Sequence, residues 1–126
     1  MLTEEQKAIR KIRNKTKKSM ESLGVWRAEF MPAVEAYARM RYQYDVLYVH
    51  WQEGGATMVE EYTNKAGATN LRKTAEYQVM EMLRKDILNH ENALGLTPIG
   101  LKRIQQNALK KKKGGGMSAQ ILDLEK

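Results

Sequence analysis

Leu94-Gly95-Leu96-Thr97-Pro98-Ile99-Gly100-Leu101-Lys102-Arg103-Ile104 stops one helix and starts another within eleven residues. Gly95 is suited to the left-handed conformation that ends a helix, Thr97 to capping the orphan amides of the next, and Pro98 to its first turn. The unit reads as a helix corner. Corners of this kind are common in helical proteins and name no function.

Working outward, the pattern predicts helices on both sides. Thr3-Glu4-Glu5-Gln6 matches a capping box and opens a helix that runs to about Ser22, before Leu23-Gly24. Pro32 lies near the start of a second, whose Val34, Tyr37, Ala38, Tyr44, Leu47, Tyr48 and Trp51 recur at spacings of three and four until Gly54-Gly55. A third starts near Thr74 and carries Tyr77, Met80, Leu83, Ile87 and Leu94 on one stripe, with Glu81 and Lys85 as a surface pair. The fourth spans Pro98 to about Leu109. Between the second and third, Thr57 to Leu71 is polar, turn-rich at Asn64-Lys65-Ala66-Gly67, and compatible with a short strand around Met58-Val59 and Tyr62. The expected fold is all-α: a helical hairpin core of about four helices with a basic N-terminal helix and a flexible C-terminal tail. Residues 1–109 form the expected helical domain, and residues 110–126 a basic, Gly-rich linker and C-terminal tail.

Chain length allows one domain with a modest core. The absence of cysteine removes disulfides and thiolate chemistry and fits a reducing cytoplasm. No apolar run approaches a membrane span, and Met1 to Met20 is charged rather than signal-like, so a soluble, intracellular chain with no membrane partner is expected.

The net charge of +7 is laid out unevenly. Lys7, Arg10, Lys11, Arg13, Lys15, Lys17 and Lys18 follow one another without an intervening acid, as do Lys102, Arg103, Lys110, Lys111, Lys112 and Lys113. Those thirteen account for most of the 22 Lys and Arg; the remaining nine face 15 Asp and Glu, so the rest of the chain is acidic. Segregated positive charge attracts polyanions, whereas interspersed charge mainly confers solubility. Either cluster alone reads equally well as a solvated face, but two on one small chain favour nucleic acid.

After Leu109 the composition changes to Lys110-Lys111-Lys112-Lys113, then Gly114-Gly115-Gly116, then a segment bearing Ile121, Leu122 and Leu124. Such a terminus is either disordered or orders on a partner; the triglycine spacer favours the second, with those three side chains as anchors.

Signs of catalysis are thin. His50 and His90 belong to no metal-binding spacing, Glu60-Glu61 and Asp86 with Glu91 are ordinary surface acids, and the triglycine follows its lysines with no strand before it. A non-enzymatic chain without cofactor or metal is expected. The second helix is apolar around much of its circumference, more than a few neighbouring helices can cover. Tyr37, Tyr44, Tyr48 and Trp51, with Met80 and Leu83 of the third helix, are therefore the expected subunit interface.

Over roughly Leu23 to Leu109 the chain resembles the terminase small subunits of tailed bacteriophages. The resemblance rests on Leu23-Gly24, on Glu35-Ala36-Tyr37-Ala38-Arg39 with Tyr42, on Tyr62-Thr63-Asn64-Lys65-x-Gly67-Ala68, and most specifically on Leu94-Gly95-Leu96-Thr97-Pro98. Members commonly have Asn-Pro before the third helix, where Lys73-Thr74 stands here, and many carry Ser-Ser-Arg after the Thr-Pro, where this chain has Ile99-Gly100-Leu101. The resemblance implies a protein of the host cytoplasm that forms a homo-oligomeric ring, binds double-stranded viral DNA, and recruits and regulates the large terminase subunit, which holds the ATPase and nuclease. No helix-turn-helix pattern sets Arg, Asn or Gln in register for base readout. The alternatives are a small helical DNA- or RNA-binding transcriptional regulator, expected as a dimer, and an adaptor whose basic ends meet an acidic protein.

Overall fold

The computed structural model describes residues 1–110. Helix α1 (Glu4–Ser22) starts at a complete capping box: Gln6 N donates to Thr3 Oγ1 at 3.1 Å, and Thr3 N to Gln6 Oε1 at 2.9 Å. Gly24, at φ 75°, ends it and lets Val25 N reach back to Met20 O. A 3-10 turn (Ala28–Phe30) feeds helix α2 (Met31–Glu53), with Pro32 in its first turn. Helix α3 (Ala75–Ala93) is capped by Thr74, whose Oγ1 accepts from Tyr77 N. Residues 98–110 are helical too, up to the last described position.

The expected all-α fold needs one addition. Between α2 and α3 lies an antiparallel hairpin, β1 (Val59–Thr63) paired with β2 (Thr69–Lys73) in the register Val59↔Lys73 to Thr63↔Thr69. Its turn is made by Asn64, which exchanges backbone and side-chain bonds with Ala68, and by Gly67 at φ 85°. What read as a polar connection with a short strand is a complete two-stranded unit.

The core follows from the middle position of α2. Antiparallel α1 packs along its first half, where Arg13 meets Glu35, and α3 runs back along its full length, from His50 beside Glu76 to Tyr37 beside Glu91. Met20 from α1, Val34 and Tyr37 from α2, Ile87 from α3 and Leu94 just beyond it form one buried cluster, flanked by half-buried Ile12, Val25, Trp26, Met40, Tyr44, Leu83 and Leu96. Each fully buried aliphatic side chain contributes about 1.5–3 kcal/mol. The Tyr37 hydroxyl donates to Glu91 Oε2 at 2.9 Å, so a polar tip carried into the core is satisfied there.

The corner at residues 94–104 is tighter than its caps require. Gly95 stands at φ 75°, and Thr97 Oγ1 accepts from Gly100 N while its hydroxyl donates to Asn92 Oδ1. A Cβ on Gly95 would sit 2.8 Å from Ile104 Cδ1 and 3.4 Å from Val25 Cγ2. A Cβ on Gly100 would overlap the carbonyl oxygen of Asn92 and lie 2.7 Å from its Cα, both in the backbone of α3. The 98–110 helix therefore crosses the end of α3 at a distance that only glycine permits. Gly100→Ala is expected to cost about 1–3 kcal/mol or more, because backbone rather than a flexible side chain must move; thermal unfolding followed by circular dichroism measures it.

Tyr37 supplies a second expectation. Burial, then its bond to the Glu91 carboxylate, push its phenol well above the ordinary value of 10.0. A raised pKa favours the neutral form in the folded state, so this contribution is whole below pH 10 and is lost as pH rises beyond it. Tyr37→Phe should cost about 1–3 kcal/mol at neutral pH, since the Glu91 oxygen loses its donor. In urea titrations the variant should also lose less stability than the parent between pH 9 and 11.

Candidate nucleic-acid interface

All seven cations of the first cluster lie on α1, and the structure divides them by what they touch. Arg13 Nη1 reaches Glu35 Oε1 at 3.4 Å on α2, tying the two helices together. Lys17 lies over the Trp26 ring, 5.3 Å from its centroid, and is 3.9 Å from Glu21. Lys7 bonds Glu4 at 3.3 Å, a surface pair that contributes little and exchanges readily with solvent. Arg10, Lys11, Lys15 and Lys18 form no ion pair among the described residues, and all four are exposed.

Lys7, Arg10, Lys11, Asn14, Lys15 and Lys18 line one shallow surface depression with Leu2. Lys7, Lys11, Asn14 and Lys18 fall at steps of three or four, so the helical period sets them on one face. From Lys7 to Lys18 that face spans about 16 Å, long enough to follow several phosphates. Arg39 of α2 extends it: with Leu2, Gln6, Arg10 and Arg13 it lines a neighbouring depression. No sequence signal joins Arg39 to Arg10, because only antiparallel packing of α1 on α2 brings them together.

From the second cluster, Lys102 and Arg103 are exposed on the 98–110 helix and Lys110 closes the described chain. Ile104 and Val25 flank Gly95, so this helix begins beside the C-terminal end of α1, nearer Lys18 than Lys7. Lys111, Lys112 and Lys113, and the tail anchors Ile121, Leu122 and Leu124, lie outside the described residues.

The six residues read as a subunit interface separate as well. Tyr37 and Met80 are buried in the chain's own core, at 6% and 2% exposure. Tyr44 and Leu83 pack against that core, and Trp51 is half-buried, its Nε1 donating to Thr57 O at 2.9 Å. Tyr48 alone is exposed, beside Val46 and Val49 of α2 and with Val79, Met82 and Leu88 exposed on α3. The low amphipathicity of α2 concealed this: with apolar residues on several faces, the stripe facing α3 could not be told from the one facing outward.

Among the described residues no group of three His, Asp or Glu side chains converges as a metal site, and no helix is long and apolar enough to cross a membrane. The geometry defines a small helical protein with one cationic face and a separate set of exposed apolar side chains. Residues 10–111 match the family model for the small subunit of phage terminase, and the chain belongs to that family. No curated protein and no solved structure matches it.

Proposed function

We propose that this chain is the non-enzymatic, DNA-recognising component of a phage genome-packaging machine, binding double-stranded viral DNA and delivering it to the large terminase subunit in the host cytoplasm. The observation that carries the reading is the stripe Arg10, Lys11, Lys15 and Lys18, without an ion-pair partner among the described residues, on a member of the terminase small-subunit family. Cations of this kind act on phosphates, and binding through them depends on backbone charge and DNA shape more than on base identity. Lys7, Lys102, Arg103 and Lys110 add to that field, Lys111 to Lys113 extend it along the sequence, and Arg13 and Lys17 serve mainly to hold α1 in place.

Self-association into a closed ring larger than a tetramer is part of the same reading. α1 covers only the first half of α2, so the far half of the α2–α3 pair is a two-helix arm whose exposed Val46, Tyr48, Val49, Val79 and Met82 have no covering layer among the described residues. Tyr44, Leu83 and Trp51 support that arm from within, and a repeated contact between unlike patches closes into a ring. Ile121, Leu122 and Leu124, beyond Gly114-Gly115-Gly116, are assigned to recruiting the large subunit.

Replacing Arg10, Lys11, Lys15 and Lys18 together by glutamine should weaken binding to duplexes of every sequence and reduce the salt dependence, by about 0.9 in log–log slope for each phosphate no longer neutralised. Fluorescence anisotropy across a salt series measures this; unchanged affinity would make the stripe a solvated face only. Truncation after Lys113 should preserve thermal stability, oligomer size and most DNA affinity while abolishing stimulation of the large subunit's ATPase or nuclease. A truncated protein that dissociates would place the tail in the assembly instead. Light scattering separates this reading from a transcriptional regulator, for which a dimer is expected.

A further inference from the structure

The hairpin between α2 and α3 is used neither by the core nor by the cationic face. Every residue of both strands is exposed, with Leu71 at 71% and Val59 at 50%. Isolated two-stranded ribbons are marginal in water and gain stability when a third strand or another surface covers them. The ribbon carries Glu60 and Glu61 against Lys65, Arg72 and Lys73, so it offers no strong field to a polyanion.

Its hydrogen bonding fixes which backbone groups are free. Asn64 N donates to Ala68 O at the turn and Thr74 N to Met58 O at the root. Alternation along an antiparallel ladder then turns the amides and carbonyls of Val59, Glu61 and Thr63 outward on β1, and those of Thr69, Leu71 and Lys73 outward on β2. Neither strand contains proline, and no other strand pairs with them among the described residues. Both edges are open templates. Their side chains are of opposite sign, β1 with two acids and no base, β2 with two bases and no acid. Within one chain Arg72 pairs with Glu60 at 3.0 Å and Lys73 with Glu81 of α3 at 3.0 Å, while Glu61 forms no ion pair among the described residues.

We propose that hairpins of neighbouring copies pair edge to edge, β2 of one subunit against β1 of the next. Pairing β1 with a second β1 would bring the unpaired Glu61 against a second acidic strand, and pairing β2 with β2 would set two basic strands side by side. Only the mixed contact sets the acidic strand, with Glu61, beside the basic one while the Glu60–Arg72 pair stays within each ribbon. Because the two strands of each hairpin run oppositely, copies related by rotation present β2 and the next β1 antiparallel without reorientation. The contact joins unlike edges and leaves one of each free, so it propagates until a ring closes. Leu71 and Val59 then meet side chains across the new ladder. This rests on the self-association reading and names the strands that make the contact.

The test uses the full chain. Glu61→Pro and Leu71→Pro each remove one outward amide and no bond of the intrachain ladder, at edge positions where proline is tolerated. Each should raise the concentration for half-assembly at least tenfold in light scattering, with helical circular dichroism unchanged. In the unmodified assembly, hydrogen exchange at the amides of Glu61 and Leu71 should be as slow as at the inward amides of Tyr62 and Arg72, and at least tenfold faster after dilution to monomer. Fast exchange at Glu61 and Leu71 in an intact assembly overturns hairpin pairing and leaves self-association standing on other surfaces. An unmodified chain that stays monomeric at tens of micromolar overturns both.

Discussion

Everything in the bundle depends on α2 being shared. Tyr37 sits where α1 and α3 both press on it, its ring in the cluster with Met20, Val34 and Ile87 and its hydroxyl on Glu91. The buried phenol fixes the height of α3 against α2, because a buried donor without a partner costs more than a good bond contributes. With that height set, His50 meets Glu76 and Trp51 packs at a tilt against Tyr77, 5.9 Å between ring centroids, at the far end of the same helix pair. Glu91 lies just before the corner, so the same contact places Leu94, Gly95 and the start of the 98–110 helix.

The bundle also sorts charge from apolar surface. α1 turns Ile12, Thr16 and Met20 inward, with Thr16 Oγ1 bonded back to Ile12 O at 2.8 Å, and leaves its lysines outside. Arg13 sits at the boundary: its guanidinium links α1 to Glu35, so a residue from within the cationic run acts as a structural tie. Of the exposed apolar side chains, Val46, Tyr48, Val49, Val79 and Met82 lie on the outer α2–α3 arm and Val59, Tyr62 and Leu71 on the hairpin, whereas Leu2 sits within the cationic face.

Local signals were legible in the sequence wherever one residue type answers one backbone need. Thr3 with Gln6, Thr74, Gly24, Gly95 and Thr97 all act in the structure as their chemistry predicts, and the helices begin and end where these residues stand. Gly100 was not legible in the same way. Its role comes from the backbone of Asn92 at a crossing, a tertiary fact with no periodic signature. The hairpin was half-legible: the turn at residues 64–67 announced itself, but strands of VEEYT and TNLRK lack the apolar alternation that marks a half-buried sheet, because neither face is buried. Within the cationic cluster, spacing along the chain reveals position and not partners. Arg13 and Lys17 could not be told from Arg10 and Lys11 until Glu35 and Trp26 were placed.

One carbonyl oxygen joins the hairpin to the helices. Thr57 O accepts from Trp51 Nε1 at 2.9 Å and from Thr74 Oγ1 at 2.9 Å, one donor from the end of α2 and the other from the cap of α3. Both acceptor directions of that oxygen are engaged. The ribbon is thus clamped at its root like a cantilever: it cannot swing on one helix alone, because tilting it draws on the ends of α2 and α3 together. Any tilt of the ribbon about its root therefore strains one bond at the end of α2 and one at the start of α3 at the same time, which ties the hairpin's orientation to the spacing of the two helix ends.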